Sequence, residues 1–284
     1  MQLIDGKSIS LLIKEEIKKE INLLGFKPTL TIIQVGENIS SDIYVRNKIK
    51  LASDLNCETK LLKFNENITE EQLINEIKKL NNDVHTNGIL VQLPIPKHIN
   101  EQKIIESISP NKDVDCFCWK NIGKLWTCRY SDVVLKSCTP MAVIELIKRS
   151  NIQIAGKHVV IIGRSNIVGK PLAALFLLEN ATVTICHSKT ENIKKITQQA
   201  DIVVAAIGKA KYFNGEYFNN NVVVIDVGIN RDPITKKVCG DVDFESVKEK
   251  VAAITPVPGG VGPMTVMMVM KNLISLVKIQ KGIK

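Results

Sequence analysis

The chain has 284 residues, 45% of them hydrophobic, so it can bury a large core in one large or two smaller domains. No apolar stretch reaches the roughly 18 residues of a membrane span, and the first residues lack the basic-then-apolar pattern of a secretory signal, so we expect a cytoplasmic protein outside the membrane. The net charge of +9 favours anionic partners, but the excess is almost all dispersed lysine, which argues against nucleic acid.

In the first half of the chain, short apolar and β-branched runs alternate with helical patterns. The runs predict strands at 30–35, 59–64 and 88–93, and the periodicity predicts helices at 7–24, 40–55, 69–80 and 100–107. The stretch 111–139 that follows is irregular and carries tryptophan. We expect it to join two domains.

The second half repeats this alternation. It predicts strands at 158–162, 182–186, 202–206, 222–227 and 252–254, with the clearest helix at 171–180. Such spacing is typical of parallel sheets, so we expect two α/β domains separated by a cleft, the second a Rossmann-like parallel sheet. The periodic segment 264–279 is too apolar on one face to lie free in solvent, and we expect it to pack back on the first domain.

The seven cysteines indicate reduced thiols, because their number is odd and a chain of this size needs no disulfides for stability. Cys116, Cys118 and Cys128 invite a zinc interpretation. No paired Cys-x-x-Cys or suitably spaced histidine completes a tetrahedral set, so we expect no metal.

A glycine-bounded turn lies between the strand at 158–162 and the helix at 171–180. It begins Gly163-Arg164-Ser165 and ends Gly169-Lys170-Pro171. Strand, glycine turn and helix in this order allow main-chain N–H groups and the helix N-terminus to bind phosphate. The spacing departs from G-x-G-x-x-G, so the turn indicates a variant dinucleotide site.

The end of the next strand indicates which dinucleotide is bound. An enzyme that prefers NAD usually has an acid there for the ribose 2′-hydroxyl, but here His187, Ser188, Lys189 and Thr190 follow, with no acid before Glu191. Arg164 and the hydroxyls suit a 2′-phosphate and favour NADP. A solvated loop charge is the alternative for Arg164, and His187 receives no role.

Polar groups that could act on a substrate occur in the first half. Tyr44 and Lys48 lie four residues apart on a predicted helix and share a face. A lysine on an apolar face either reaches solvent, the commoner state, or is desolvated and suited to proton transfer. Gln92 ends a predicted strand at the edge where ligands bind, and Asp115 follows Asp113 in a loop that turn chemistry alone could explain.

The segment 255–265 reads TPVPGGVGPMT, with three prolines and three glycines. Prolines stiffen the backbone, and glycines allow a ligand to lie against main-chain groups. The segment is therefore either a ligand-binding wall or a tight connector.

Taken in order, these segments resemble the bifunctional methylenetetrahydrofolate dehydrogenase/methenyltetrahydrofolate cyclohydrolase family nearly from end to end. The matching segments are Tyr44-x-x-x-Lys48, GILVQLPIP at 88–96, KDVD at 112–115, CTP at 138–140, GRSNIVGKP at 163–171, CHSKT at 186–190, IDVGIN at 225–230, GDVD at 240–243 and TPVPGGVGPMT at 255–265. Nine segments in family order are far more specific than any one of them.

The resemblance implies a folate-binding catalytic domain at 1–139, joined by a C-terminal helix at 264–284, and an NADP-binding domain at 140–263. It implies oxidation of 5,10-methylenetetrahydrofolate with NADP⁺, followed by hydrolysis of the methenyl product to 10-formyltetrahydrofolate. A homodimer is also implied. No metal is required, because the cationic methenyl group is itself the electrophile.

The resemblance also implies a role for individual residues. Lys48 would be the acid/base residue of the cyclohydrolase step, Gln92 would bond to it, Tyr44 would stack on the aminobenzoyl ring, and Asp115 would hold the pterin amino group. The remaining residues would bind folate (Pro258, Gly259 and Gly260) or the cofactor (Gly163, Arg164, Ser165, Ser188 and Ile229).

Three departures from the family pattern bear on folate affinity. Cys116 stands where glycine usually follows the second aspartate, Cys118-Trp119 replace a pair such as His-Pro, and Ala142 stands where glycine is common. A side chain at Cys116 could tilt the loop that presents Asp115.

Two other classes of protein share some of these sequence features. A short-chain dehydrogenase also uses Tyr-x-x-x-Lys, but its glycine turn precedes the tyrosine, whereas here the turn follows by more than a hundred residues. A basic nucleic-acid-binding protein would bind heparin in a salt-sensitive way and would give no NADP-dependent change in absorbance.

Overall fold

The computed structural model describes residues 1–129 and 134–283, except for the side chains of residues 39 and 40. Two compact units divide the chain. The first contains Met1–Leu12 and Ser137–Met267, and the second contains Ile13–Thr127 and the residues from Met268 onward. Both units are α/β, as predicted. The predicted boundary between residues 139 and 140 stays a prediction.

The second unit is built on a three-stranded parallel sheet. Its strands, in the order β3-β2-β4, are β2 (Thr29–Val35), β3 (Glu58–Phe64) and β4 (Gly88–Val91). The central strand β2 is buried along its whole length, which is typical of a parallel sheet covered on both faces. The strand predicted to reach residue 93 ends at Val91, so Gln92 follows β4 and does not lie within it.

Helices connect and cover these strands. They are α1 (Gly6–Leu24), α2 (Ile39–Asp54), α3 (Glu70–Asn82), α4 (Glu101–Ser107) and α5 (Trp119–Thr127). The α3 helix begins with a capping box, in which Thr69 and Gln72 each bond to the other's main-chain N–H. Leu73 and Ile77 of α3 then pack with Ile33 and Ile89 of the sheet in one apolar core.

The first unit contains a six-stranded sheet that is parallel throughout. Its order is β1-β11-β8-β7-β5-β6, with β1 (Gln2–Leu3), β5 (His158–Ile162), β6 (Thr182–Cys186), β7 (Ile202–Ala205), β8 (Val223–Asp226) and β11 (Ala253–Ile254). This arrangement confirms the predicted parallel sheet of the nucleotide-binding half. The short strand β1 was not predicted, because two residues give no periodic signal.

The remaining elements of this unit are short, apart from two helices. They are α6 (Cys138–Arg149), α7 (Gly169–Leu178), α8 (Ile193–Thr197), β9 (Asn230–Arg231), β10 (Val238–Cys239), α9 (Phe244–Val247) and a 3₁₀ turn at Gly215–Tyr217. Valines and isoleucines of the central strands pack with Phe213 and Phe218 in the core.

Among the described residues, four helices were not predicted, namely the short α8 and α9 and the longer α5 and α6. The stretch 111–139 was expected to be irregular, but it contains α5, whose buried Leu125 lies two turns from exposed Trp119. Gly123 inside the helix weakens its propensity and conceals the pattern. The α6 helix was not proposed, because Pro140 resembles a break, yet proline is tolerated in the first helical turn.

The last helix, α10 (Val261–Lys281), begins three residues before the predicted start and is packed into the protein. Leu273 and Val277 are fully buried. The Asn272 amide is also buried and donates to the main-chain oxygens of Val114 and Lys136, at 2.7 and 2.8 Å. By length and composition α10 is apolar enough to cross a membrane, but 56% of its most apolar 18-residue window is buried within the protein.

Candidate active site

Lys48 and Gln92, far apart in the sequence, meet in the second unit. The Lys48 Nζ donates to Gln92 Oε1 at 2.9 Å. Gln92 Nε2 donates in turn to the main-chain oxygen of Leu93 at 2.8 Å, which fixes the amide with its oxygen toward the lysine. An amine half-buried against a neutral acceptor can keep this bond whether or not it carries a proton, so the pair is suited to proton transfer.

The α2 helix places Tyr44 one turn before Lys48. Leu51 and Leu55 continue the same face into the core, and both are buried. Asn38 caps the helix by accepting from Ser41 N at 3.0 Å. Tyr44 is 38% exposed, so part of this residue is open to solvent.

Gln34 was not singled out from the sequence. It follows Ile33, whose partner in β4 is Val91, so it lies near Gln92, the residue after that strand. Its amide nitrogen donates to Asp42 Oδ1 at 2.8 Å, while its oxygen, among the described residues, is buried without a donor. A buried acceptor without a donor is costly, so we expect water or a ligand to supply one.

The two aspartates of the 112–115 segment differ in environment. Asp113 is 2% exposed and its Oδ2 accepts from the main-chain N–H groups of Phe117 and Cys118 and from the Asn121 amide. Burial raises the pKa of the Asp113 carboxyl. Asp113 therefore holds the loop together, whereas Asp115 is only partly buried.

Cys116, one of the three departures from the family pattern, has a φ of 57°. This left-handed conformation favours glycine, and a cysteine held there is strained. The Cys116 side chain is fully buried. The backbone at this position therefore keeps the conformation that a glycine would adopt.

The cysteines weighed for zinc do not form a site in the described part of the chain, where no group of three or more metal-binding side chains occurs. Burial raises the pKa of the Cys118 thiol to about 12, and the nearby Asp113 adds to this effect. A metal-binding cysteine must lose its proton, so this environment disfavours binding.

The predicted glycine turn lies at the carboxyl end of β5 in the first unit. Gly163 has a φ of 133°, and a side chain there would collide with the Ala206 oxygen. A side chain at Gly169 would collide with the Gly163 oxygen. The two glycines therefore allow β5, the turn and the start of α7 to pack closely. Ser165 Oγ accepts from Val168 N at 3.1 Å and helps to begin the helix.

Arg164 and Ser188 follow neighbouring strands. Ile162 of β5 pairs with Cys186 of β6, and Gly163 N donates to the Cys186 oxygen at 2.9 Å. Both side chains are exposed at this edge of the sheet. His187 closes a turn there, since its N–H donates to Thr190 Oγ1 and its Nδ1 accepts from Lys189 N. The ends of these two strands thus present a cation and a hydroxyl.

The proline- and glycine-rich segment packs against the start of α1, which belongs to the same unit. Lys7 N donates to the Gly259 oxygen at 3.0 Å, and a side chain at Gly6 would collide with the Gly260 oxygen. Gly259 has a φ of 110°, and the Val257–Pro258 peptide is cis. The segment is therefore a fixed turn.

Comparison with known proteins matches two parts of the chain to one family. Residues 4–115 match the family described as "Tetrahydrofolate dehydrogenase/cyclohydrolase, catalytic domain", and residues 137–281 match its "NAD(P)-binding domain". A protein from Caldicellulosiruptor saccharolyticus named "Bifunctional protein FolD" is 52% identical over 274 residues, covering 95% of this chain and 98% of its own length.

The chain belongs to the tetrahydrofolate dehydrogenase/cyclohydrolase family. Solved structures agree with this assignment. The bifunctional FolD enzyme from Campylobacter jejuni superposes with a TM-score of 0.95 at 43% identity, covering 99% of both chains. The Trypanosoma brucei enzyme, solved with NADP cofactor and an inhibitor, gives 0.93 at 38% identity, covering 98% of both chains.

The family match divides the predicted site residues between its two domains. Tyr44, Lys48, Gln92 and Asp115 lie within the catalytic-domain match, and the glycine turn, Ser188, Ile229 and the 258–260 turn lie within the NAD(P)-binding match. The resemblance of this chain to the tetrahydrofolate dehydrogenase/cyclohydrolase family is therefore confirmed. The roles of the individual residues stay predictions.

Proposed function

We propose that this protein oxidises 5,10-methylenetetrahydrofolate to the methenyl form with NADP⁺ and hydrolyses that product to 10-formyltetrahydrofolate. Family membership over nearly the whole chain supports both activities. The observation that carries the cyclohydrolase activity is the hydrogen bond of 2.9 Å from Lys48 to Gln92. Tyr44 lies on the same helix as Lys48.

In the cyclohydrolase step, Lys48 is the residue that moves the proton. Water adds to the methenyl carbon, and the amine takes the proton that the water loses or returns one to the departing ring nitrogen. Gln92 orients the amine without neutralising it, because an amide oxygen carries no charge. The exposed ring of Tyr44 stacks on the aminobenzoyl group.

Asp115 and the 258–260 turn complete the proposed folate contacts. A carboxylate accepts two parallel N–H bonds and so matches the pterin amino group. Asp113 holds the loop that carries Asp115. Pro258, Gly259 and Gly260 offer a rigid main-chain surface with no side chain at the two glycines.

The residues at the carboxyl edge of the six-stranded sheet fit NADP. Gly163 and Gly169 leave no room for a side chain, and α7 begins at the turn that would receive the phosphates. Arg164 and Ser188 suit the 2′-phosphate, Ser165 and the main chain of Ile229 are further contacts, and NADP⁺ supplies the hydride acceptor.

The proposal includes a folate-binding catalytic domain at 1–139, joined by the C-terminal helix at 264–284, and an NADP-binding domain at 140–263. It also includes a homodimer, a cytoplasmic location and no nucleic-acid or membrane partner. The positive charge of the chain suits small anionic substrates. Sedimentation of the purified protein tests the dimer.

A spectrophotometric assay tests the proposed function. With methylenetetrahydrofolate, the protein should reduce NADP⁺ in preference to NAD⁺. With methenyltetrahydrofolate and no cofactor, it should accelerate loss of the methenyl absorbance. Activity in neither assay would refute the proposal, and equal use of both cofactors would refute the assignment of the 2′-phosphate.

A further inference from the structure

Two buried carboxylates in the first unit have no place in the proposed contacts with folate or NADP. Asp226 ends β8 in the segment IDVGIN, and Asp241 belongs to the segment GDVD. They are 3% and 0% exposed. Buried acids are costly unless they are well bonded, so their partners show what they hold in place.

Asp241 holds the loop that follows β7. Its Oδ2 accepts from Ile207 N at 2.6 Å and Gly208 N at 3.1 Å, and its Oδ1 accepts from Lys209 N at 2.8 Å. Three consecutive main-chain N–H groups around one anion form a nest. Asp241 is thus the internal anion of a loop at the edge of the sheet where ligands bind in parallel α/β folds.

Asp241 also holds the loop that follows β8. Its Oδ1 accepts from the Asn230 amide at 2.8 Å, and a side chain at Gly228 would collide with the carboxylate. Ile229, a proposed main-chain contact to the cofactor, lies between these two residues. The position of the Ile229 backbone therefore depends on Asp241.

Asp226 orients Asp241. Its Oδ1 accepts from Asp241 N at 2.9 Å and Gly228 N at 3.0 Å, while its Oδ2 accepts from Val242 N at 2.9 Å. A side chain at Gly240 would collide with the Asp226 carboxylate. The main chain around Asp241 is thus fixed from behind by a second acid.

The loop after β7 packs against the glycine turn. Its first residue, Ala206, is in such close contact that its main-chain oxygen leaves no space for a side chain at Gly163. A shift of residues 207–209 would therefore displace the Ala206 oxygen and the turn that packs on it. Asp241 is connected by contacts to both proposed cofactor segments.

We propose that Asp241, oriented by Asp226, is a positioning residue for the nicotinamide dinucleotide. Its carboxylate sets the loops after β7 and β8 so that the Gly163 turn and the Ile229 backbone fit the cofactor. This inference rests on the proposed NADP-dependent function, but it concerns residues that do not contact the reacting atoms.

The Asp241→Asn variant tests the proposal. It replaces one carboxylate oxygen with a donor, which then faces N–H groups of the nest. We expect the dissociation constant for NADP⁺, measured by calorimetry, to rise about tenfold or more, the effect of one strong hydrogen bond lost. The cofactor-free cyclohydrolase kcat should stay within about twofold of wild type, because Lys48 and Gln92, the proposed proton-transfer pair, lie in the other unit.

A matched control is Asp232→Asn. Asp232 is also a buried acid of this unit, accepts from Ile234 N and Thr235 N, and pairs with Lys211, yet it bonds to neither cofactor segment. Its loss should leave NADP⁺ affinity unchanged. If both variants weaken NADP⁺ binding equally, or if cyclohydrolase kcat falls in parallel, Asp241 has only a general stabilising role. Either result would overturn the proposal.

Asn230→Ala covers the case in which Asp241→Asn does not fold. It removes one donor to Asp241 and keeps the nest, so we expect NADP⁺ binding to weaken about threefold to tenfold with cyclohydrolase activity retained. Unchanged NADP⁺ affinity in a folded variant would contradict the proposal. Failure of the wild-type protein to bind NADP⁺ would instead refute the proposed function on which the inference rests.

Discussion

Asp226 should make the stability of the protein depend on pH near neutrality. Burial raises the pKa of its carboxyl from 3.8 to about 7, and the charge of Asp241 adds to the increase. The folded protein therefore binds this proton more tightly than the unfolded chain does. The resulting stabilisation is complete below the unfolded pKa and is lost as the pH rises through about 7.

The magnitude follows from the difference between the two pKa values. One pKa unit corresponds to about 1.4 kcal/mol, so lowering the pH from about 7 to about 5 should add about 2 kcal/mol to the free energy of unfolding. Asp226→Asn cannot bind this proton. The variant also changes hydrogen bonds, at a cost that should be the same at both pH values. Its free energy of unfolding should therefore fall below the wild-type value by about 2 kcal/mol more at the lower pH than at the higher.

Urea denaturation followed by circular dichroism at both pH values measures this difference. Asp232→Asn is the control, because the Lys211 ammonium and main-chain N–H groups lower the pKa of Asp232 and move its titration out of this range. A deficit for Asp226→Asn that is the same at both pH values would refute the reasoning.

Three further variants test other parts of the account. Arg164→Ala should weaken NADP⁺ binding by about 1.5 to 3 kcal/mol and leave NAD⁺ binding nearly unchanged, whereas the nearby Lys170→Ala should not distinguish the two cofactors. Equal loss for both cofactors in Arg164→Ala would contradict the 2′-phosphate contact. Asn272→Ala removes a buried donor to two main-chain oxygens and should lower the free energy of unfolding by about 2 to 3 kcal/mol in urea, whereas a wild-type midpoint would show that the bonds contribute little. Gly163→Ala should reduce both the melting temperature and NADP⁺ affinity, and retention of both would contradict the close packing of the turn.

The regular part of the fold was predictable from the sequence. The strands at 158–162 and 182–186 have the predicted bounds, because buried parallel strands are short apolar runs between clear turn residues. The α6 helix was not predicted because it has a proline in its first turn. The α5 helix was not predicted because a glycine interrupts its pattern.

The candidate site was predictable only in part. Tyr44 and Lys48 are adjacent on one helix, so local periodicity identifies them. The bond from Lys48 to Gln92 joins residues 44 positions apart and depends on how α2 packs against the three-stranded sheet, which no local pattern contains. Asp226 and Asp241 received no role from the sequence, since only the fold shows which N–H groups they accept from.

The central claim is that the Lys48 amine transfers the proton in folate hydrolysis. The most direct test is the rate at which the Lys48→Met variant hydrolyses methenyltetrahydrofolate, with NADP⁺ binding and circular dichroism as checks on the fold. We expect cyclohydrolase turnover to be abolished while NADP⁺ affinity and the spectrum match those of the wild-type protein. Hydrolysis at the wild-type rate would contradict the account.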